Sequence, residues 1–187
     1  MTHTKAHTMA QSTSRYSTPT IVMHWLTVVV FVGIYAAINL ADFFPKGSDT
    51  RQLVKNLHFS LGLLVFGLVW LRIVLRVLGG TPDIVPPLPH WQARLAKLGH
   101  LALYALMVFM PLLGWAVLSA SGKPIPFFGL DMPTLISENK PLGRTLKDIH
   151  EFGGNLGYFL IGGHAAVALL HHYFVRDNTL RRMTLRG

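Results

Sequence analysis

Four long apolar runs constrain the fold of this chain more than any other feature of its sequence. They cover approximately residues 21–40, 57–78, 95–120 and 150–175. The hydrocarbon core of a bilayer is about 30 Å thick and needs about 20 apolar helical residues to cross it. Inside lipid, a helix satisfies all of its own backbone hydrogen-bonding groups. We therefore predict an all-α membrane protein, a four-transmembrane-helix bundle, preceded by a polar N-terminal tail over residues 1–14.

The composition supports a membrane location for the single domain expected over residues 15–183. Hydrophobic residues make up 51% of the chain and charged residues only 13%, whereas soluble domains carry roughly 25% charged residues. A net charge of +9 would indicate nucleic-acid binding in a soluble protein. Here the charges lie between the apolar runs, so we expect no nucleic-acid partner and interpret the charge as a determinant of membrane orientation.

The charges are distributed unequally between the two sides of the predicted bundle. The two termini and the second connection together carry ten basic and two acidic residues, and the other two connections carry seven and six. Because positively charged segments remain in the cytoplasm, both termini are expected there. The first twenty residues are too polar to be the apolar core of a cleaved signal peptide, so the first span is expected to be a retained signal anchor.

Histidine is the chemically informative residue type, because the chain has ten histidines and no cysteine. The lack of cysteine excludes disulfides, iron–sulfur clusters, thioether-linked haem and thiolate zinc sites. Ionisable residues inside a membrane are costly and indicate function. No carboxylate lies deep in any predicted span, which argues against a proton pump built on buried acids.

Two histidines of the fourth span lie on one face. His150 and His164 are 14 residues apart, which is only about 40° short of four full turns and roughly 21 Å along a helix axis. Each has a potential partner at matching depth, His58 at the outer side and His24 at the inner side. Two stacked histidine pairs are suited to two six-coordinate haems. A zinc or copper transport site is the alternative, although such a site would normally bring carboxylates, cysteine or methionine close to the histidines.

Glycines accompany three of the four histidines. A flat macrocycle needs a missing side chain beside its ligand, but small residues also mediate ordinary helix packing in membranes. The sequence leaves both interpretations open for these positions: Gly62, Gly153, Gly154, Gly162 and Gly163.

Five segments in order and spacing resemble the bacterial cytochrome b561 family, the four-helix di-haem proteins that include superoxide oxidase. The resemblance covers roughly residues 15–183. The segments are MHWL around His24, NLHFSLG around His58, LGHLALY around His100, LKDIHE around His150 and GGHAAVALLHHYFVRDNTLRRM around His164.

The resemblance implies a haem-binding function. The family's axial iron ligands match His24, His58, His150 and His164, and its cofactors are two b-type haems. It implies electron transfer in the bacterial inner membrane, from superoxide outside to ubiquinone. Other relatives anchor hydrogenases and formate dehydrogenases, so a haem relay for a partner dehydrogenase remains the alternative. The compact chain without cysteine favours the self-contained oxidoreductase.

Cationic residues near the outer histidines are candidates for superoxide capture, because positive charge speeds the arrival of a small anion. Lys55 lies three residues before His58, and Lys147 three before His150, so both are expected on haem-bearing helix faces. Arg144 is a further candidate on the same side. The alternative is a solvated, nearly neutral loop surface.

On the inner side, Arg72 and Arg76 are expected either to bind propionates of the inner haem or to extend to lipid phosphates. His171 lies seven residues after His164, about 10 Å deeper on nearly the same face. It is a candidate to donate a hydrogen bond or a proton to quinone. Trp25 is a candidate haem neighbour or an interfacial belt residue. No role is predicted for His100.

Overall fold

The computed structural model describes residues 15–185, so the polar tail predicted over residues 1–14 lies outside the described residues. Four helices in this part of the chain are long and apolar enough to cross a membrane, as predicted. They are α1 (Thr18–Ala41), α2 (Asp49–Gly79), α3 (His90–Ala120) and α4 (Lys140–Leu170).

All four helices begin before their apolar runs, because polar turns precede the membrane segments. At α2 the side chain of Ser48 accepts a hydrogen bond from the backbone N–H of Arg51. At α4 the side chain of Asn139 accepts one from Leu142 N, and Pro141 occupies the first turn. Such caps satisfy N–H groups that have no partner inside the helix. The apolar runs therefore located the spans but not the helix starts.

The helices pack mainly as neighbours along the chain. The extensive contacts are between α1 and α2, between α3 and α4, and to a lesser extent between α2 and α3. A buried cluster joins the first three helices through Val30, Val65, Val69 and Met107. Many other large apolar side chains are exposed, as expected for surfaces that face lipid. The face of α4 directed toward α1 and α2 is therefore the least tightly packed part of the bundle.

We call the end that carries the connections after α1 and α3 the outer end, and the end that carries the termini the inner end. The outer connection after α3 contains a short hairpin, β1 (Pro126–Phe127) and β2 (Leu130–Asp131). Buried Ser60 of α2 holds this hairpin, because its hydroxyl donates to Pro126 O at 3.2 Å and accepts from Phe128 N at 3.1 Å. The connection was predicted only as a loop.

The inner end is closed by residues that follow α4. A π-helical turn (His171–Val175) continues α4, and a 3₁₀ turn (Arg181–Met183) lies further on. Asn178 links this segment to the connection between α2 and α3, since its side chain accepts from Val85 N at 2.9 Å and donates to Asp83 O at 3.1 Å. The C-terminal segment is thus part of the folded domain.

Candidate functional site

The outer histidine pair is formed by α2 and α4. The ring centroids of His58 and His150 are 6.3 Å apart, with an interplanar angle of 85°. The Nδ1–H of His58 donates to the backbone carbonyl of Ile34 at 3.0 Å, which leaves its Nε2 unprotonated and available as a ligand. The structure therefore brings together the two outer side chains that the helical arithmetic paired.

The ring of His150 is held closely by α3. A Cβ atom at Gly114 would lie 3.1 Å from Cε1 and 3.6 Å from Nδ1 of His150. These distances leave no room for a side chain at Gly114 without a shift. Glycine at this position therefore lets the imidazole lie directly against the α3 backbone.

The inner histidine pair joins α1 to α4, with a third imidazole from α3 beside it. The ring centroids of His24 and His164 are 6.3 Å apart, at an interplanar angle of 42°. His100 lies 5.4 Å from His164, edge to face, and its Nδ1–H donates to Ala96 O at 2.6 Å. Within residues 15–185, the buried Nδ1 of His24 has no hydrogen-bond partner.

The separation within each pair fits one metal ion between two imidazoles. Two nitrogen–metal bonds of about 2 Å each, extended from each nitrogen to its ring centroid, give about 6 Å, close to the observed 6.3 Å. In the described part of the chain, no group of three or more His, Asp or Glu side chains could hold a bare ion. Two opposed nitrogens are the set that a porphyrin iron needs, because the macrocycle occupies the other positions.

The glycines beside the histidines divide into two groups. A Cβ atom at Gly62, Gly154, Gly162 or Gly163 would meet no other atom within 4 Å. A Cβ atom at Gly153 would overlap Met110 of α3. The first group would not obstruct a flat group beside the histidine pairs, although Gly162 and Gly163 are exposed at the surface, and Gly153 instead permits helix packing.

Comparison with known proteins agrees with this geometry. Residues 15–186 match the family described as "Prokaryotic cytochrome b561". The chain belongs to the prokaryotic cytochrome b561 family. It is therefore a membrane electron-transfer protein, and family membership implies b-type haem.

Three relatives of this cytochrome b561 chain align over nearly their whole length. "Cytochrome b561 homolog 1" of Escherichia coli (strain K12) is 40% identical over 92% of this chain and 98% of its own. "Probable superoxide oxidase CybB" of Yersinia pestis is 38% identical over 90% and 95%. "Cytochrome b561 homolog 2" of Escherichia coli (strain K12) is 30% identical over 90% of each chain.

In this cytochrome b561, the two inner arginines have different surroundings. Arg72 is half-buried, interacts electrostatically with both His24 and His164, and points its Nη1 toward Met107 Sδ at 3.7 Å. Arg76 lies against the ring of Tyr16. Arg72 is therefore the better placed of the two to serve the inner histidine pair.

Trp25 and His171 both contact the C-terminal segment of the cytochrome. The indole ring of Trp25 meets His24 edge to face at 5.3 Å, and its N–H donates to Met183 O at 2.8 Å. The Nδ1–H of His171 donates to the Asp177 carboxylate at 2.6 Å. Trp25 is thus a neighbour of an inner histidine, and His171 has a defined orientation.

The outer lysines form a cluster around Lys55. This half-buried side chain interacts electrostatically with Arg51, Lys123 and Lys147, and with the carboxylate of Asp42, which pairs with Arg51. Lys147, however, makes an ion pair with Glu151 of the same helix. No carboxylate within residues 15–185 lies within ion-pair distance of Lys55 or Lys123.

Arg144 is exposed near the start of α4, and no ion pair within residues 15–185 involves it. The structure therefore does not bring Arg144 into the cluster around Lys55. Of the three outer residues named from the sequence, Lys55 has the most suitable surroundings for attracting an anion.

Sequence reasoning missed three contacts of the site. His100 contacts His164, Gly114 contacts His150, and Asp177 binds His171. The sequence carried a partial signal for two of them, since His100 and Asp177 both lie inside segments that carried the family resemblance. Gly114 gave no signal, because one glycine in an apolar span is common.

Proposed function

We propose that this cytochrome b561 holds two b-type haems, oxidises superoxide at its outer end and reduces ubiquinone at its inner end. The observation that supports the haem sites most directly is that two histidine pairs lie along α4, each with its ring centroids 6.3 Å apart. His58 and His150 would hold the outer haem, and His24 and His164 the inner one. Each bound haem supplies a one-electron acceptor and donor.

The residues of this chain would hold and orient the two groups. The carbonyl of Ile34 fixes the ring of His58, which is the kind of support that ligating histidines usually have. Gly154 and Gly162 leave space beside the ligands. Arg72, beside the inner pair, would bind a haem propionate, because guanidinium groups bind carboxylates strongly.

The outer surface supports superoxide as the donor. Lys55 and Lys123 make no ion pair within the described residues, and Asp42, which lies near Lys55, is itself paired with Arg51, so the two lysines can attract an anion. Two superoxide ions would give two molecules of oxygen and two electrons, and one quinone would take up two electrons and two protons. The name of the Yersinia pestis relative, "Probable superoxide oxidase CybB", agrees with this assignment.

The proposed orientation places both termini in the cytoplasm of a bacterium. It rests on the excess of basic residues at the inner end. Superoxide would then be oxidised on the periplasmic side of the inner membrane, and the electrons would move toward the cytoplasmic side. A reporter enzyme fused to the C-terminus, active only in the cytoplasm, tests this arrangement.

The first experiment counts haems. A reduced-minus-oxidised optical spectrum and a haem assay of the purified protein should give two haems per chain. His58→Ala and His164→Ala should each remove one, whereas His90→Ala, at the exposed start of α3, should remove none. A colourless protein, or one in which these changes leave both haems, would refute the assignment of the ligands.

The second experiment separates the oxidase from the haem relay for a partner dehydrogenase. Purified protein is mixed with a pulse of superoxide and ubiquinone, and haem reduction, oxygen and quinol are followed. The proposal requires rapid haem reduction and two superoxide ions consumed per quinol formed. If superoxide leaves the haems oxidised while an added dehydrogenase reduces them, the relay function is correct.

A further inference from the structure

A buried carboxylate lies at the inner end of the bundle, where the sequence indicated only a charged tail. The side chain of Asp177 is fully buried. Its Oδ2 accepts the Nδ1–H of His171 at 2.6 Å, and its Oδ1 accepts the backbone N–H of Thr179 at 2.8 Å. Burial raises the pKa of Asp177, but the hydrogen bonds from His171 and Thr179 outweigh it, and the pKa lies below its ordinary value. Asp177 is therefore ionised at neutral pH.

The backbone positions this carboxylate through two irregular features. The π-helical turn begins at His171, and Arg176 has a left-handed conformation with φ of 59°. Together they turn the chain so that Asp177 N–H donates to His171 O at 3.3 Å. Single π-helical turns occur frequently at functional sites, and this one brings a carboxylate onto an imidazole six residues away.

The surrounding segment restricts the movement of Asp177. The next residue, Asn178, is bonded to the connection between α2 and α3 through Val85 and Asp83. Further on, Arg182 is buried and donates to the backbone carbonyl of Pro82. The segment that carries the carboxylate is thus attached at two points to the connection between α2 and α3, which is more than a free tail would provide.

The contact determines how His171 presents its other nitrogen. A carboxylate accepts and cannot donate, so Nδ1 of His171 carries a proton in both the neutral and the charged ring. Nε2 is then basic in the neutral ring and acidic in the charged ring. This is the arrangement by which a buried Asp fixes the tautomer of a proton-transferring histidine.

We propose that Asp177 is a positioning residue that prepares His171 to deliver protons to the reduced quinone. This inference rests on the proposed quinone reductase function and adds the proton route. The quinone takes two electrons from the protein; the oxygen that faces His171 takes one proton from its Nε2–H, and the opposite oxygen takes one proton from water. His171 becomes neutral and regains a proton from water at the inner surface, while Asp177 remains ionised throughout.

The test starts with chemically reduced protein and follows its reoxidation by a soluble ubiquinone, so superoxide is not needed. Asp177→Asn should lower the maximal rate of quinol formation about tenfold or more, as loss of a supporting shell often does, with little change in KM. His171→Gln should have a similar effect. The double variant should be no slower than His171→Gln alone, because Asp177 acts through His171.

Asp83→Asn is the matched control, since it removes one carboxylate from an exposed position on the neighbouring connection. It should leave the reoxidation rate unchanged. Haem spectra and midpoint potentials should be unaffected in all of these variants. Asp177→Glu retains the charge, should fall between the wild type and Asp177→Asn, and is the variant to use if Asp177→Asn fails to fold.

A second readout does not depend on turnover. Nitrogen NMR of ¹⁵N-histidine-labelled protein should show the Nδ1–H form of His171, identified by its loss in His171→Gln. In Asp177→Asn one amide oxygen cannot serve both Thr179 and His171, so this form should decrease. Reoxidation as fast as wild type in Asp177→Asn, or additive losses in the double variant, would overturn the inference.

The two proposals fail in different ways. If the protein does not react with superoxide but the reduced protein shows these quinone results, the donor in the proposed function is wrong and the role of Asp177 stands. If the wild-type protein is not reoxidised by quinone, the quinone half of the proposed function is refuted and the proton route with it.

Discussion

Gly114 allows a sharp test of the proposed outer haem site, because its replacement should disturb one imidazole and little else. In Gly114→Ala, the new Cβ would lie 3.1 Å from Cε1 of His150. Unstrained carbon contacts begin at about 3.5 Å, so the ring or the helix must move by about 0.4 Å. Metal–ligand bonds tolerate departures of only about 0.2 Å. The displacement is therefore large enough to weaken the bond from His150.

The expected loss follows from what small changes around a ligand usually cost. Such changes lower metal affinity about 10-fold to 100-fold, or about 1.4 to 2.8 kcal/mol. The assay follows the transfer of haem from the purified protein to an excess of a haem-scavenging protein. One of the two haems should leave 10 to 100 times faster in Gly114→Ala, and the other should be unaffected.

Gly99→Ala is the matched control on the same helix. A Cβ at Gly99 meets no atom within 4 Å, so this change brings only the helix-propensity gain of up to about 1 kcal/mol that Gly114→Ala shares. Identical haem retention in wild type, Gly99→Ala and Gly114→Ala would refute the reasoning. It would mean that the ring of His150 is not held between α3 and a haem.

Two further predictions concern charge. Lys55→Glu should slow the reaction with superoxide about tenfold at low salt and reverse its salt dependence, as expected for lost electrostatic steering; Lys140→Glu, whose ammonium pairs with Glu138, should change the stopped-flow rate little. The lowered pKa of Asp177 means that its carboxylate stabilises the fold above the ordinary carboxyl pKa, and that this contribution is lost as pH falls toward the folded-state pKa. Asp177→Asn should therefore lose less stability on acidification, measured as unfolding temperature against pH in detergent.

The spans could be predicted from the sequence because the bilayer imposes a simple length requirement on apolar helices. The position of His150 and His164 on the same helix face could also be predicted, because both lie on one uninterrupted helix and helix geometry fixes their relative direction. Their partners were predictable by depth alone. In a membrane protein of this size, few other histidine pairings are possible once the order and direction of the spans are known.

The contacts that depend on tertiary packing were not predictable. The closeness of His100 to His164 depends on how α3 packs against α4, which periodicity does not reveal.

The ion pair of Lys147 with Glu151 could have been predicted from their spacing of four residues on a helix. Because this ion pair offsets the charge of Lys147, Lys55 is the better candidate for attracting an anion at the outer surface.

The structure of the C-terminal segment could not be predicted from the sequence for a different reason. Its basic residues add to the positive charge of the inner end, which was sufficient to predict the orientation. The burial of Asp177 depends on a π-helical turn and a left-handed residue at Arg176. A non-glycine residue rarely adopts that conformation. Local backbone propensity therefore argues against the turn that brings Asp177 to His171.

Arg72 gives the two proposed haem positions different electrostatics, and this bears on the proposed direction of electron flow. Its guanidinium is half-buried beside His24 and His164 and pairs with no carboxylate within residues 15–185. The outer cations lie nearer to water, where their effect is screened. Because reduction adds an electron, the buried charge should raise the potential of the inner haem and favour inward flow.

Replacing the charge of Arg72 tests this asymmetry directly. If Arg72 binds a haem propionate as proposed, its charge offsets the negative charge of that propionate beside the inner iron, and its removal changes the potential by on the order of 1 kcal/mol, or tens of millivolts. Arg72→Gln should therefore lower only the higher of two midpoint potentials in an optical redox titration, while Arg72→Lys should largely preserve it. Arg76→Gln, one turn further along α2 against Tyr16, should have a smaller effect. A higher potential that stays unchanged in Arg72→Gln would mean that inward flow has another cause.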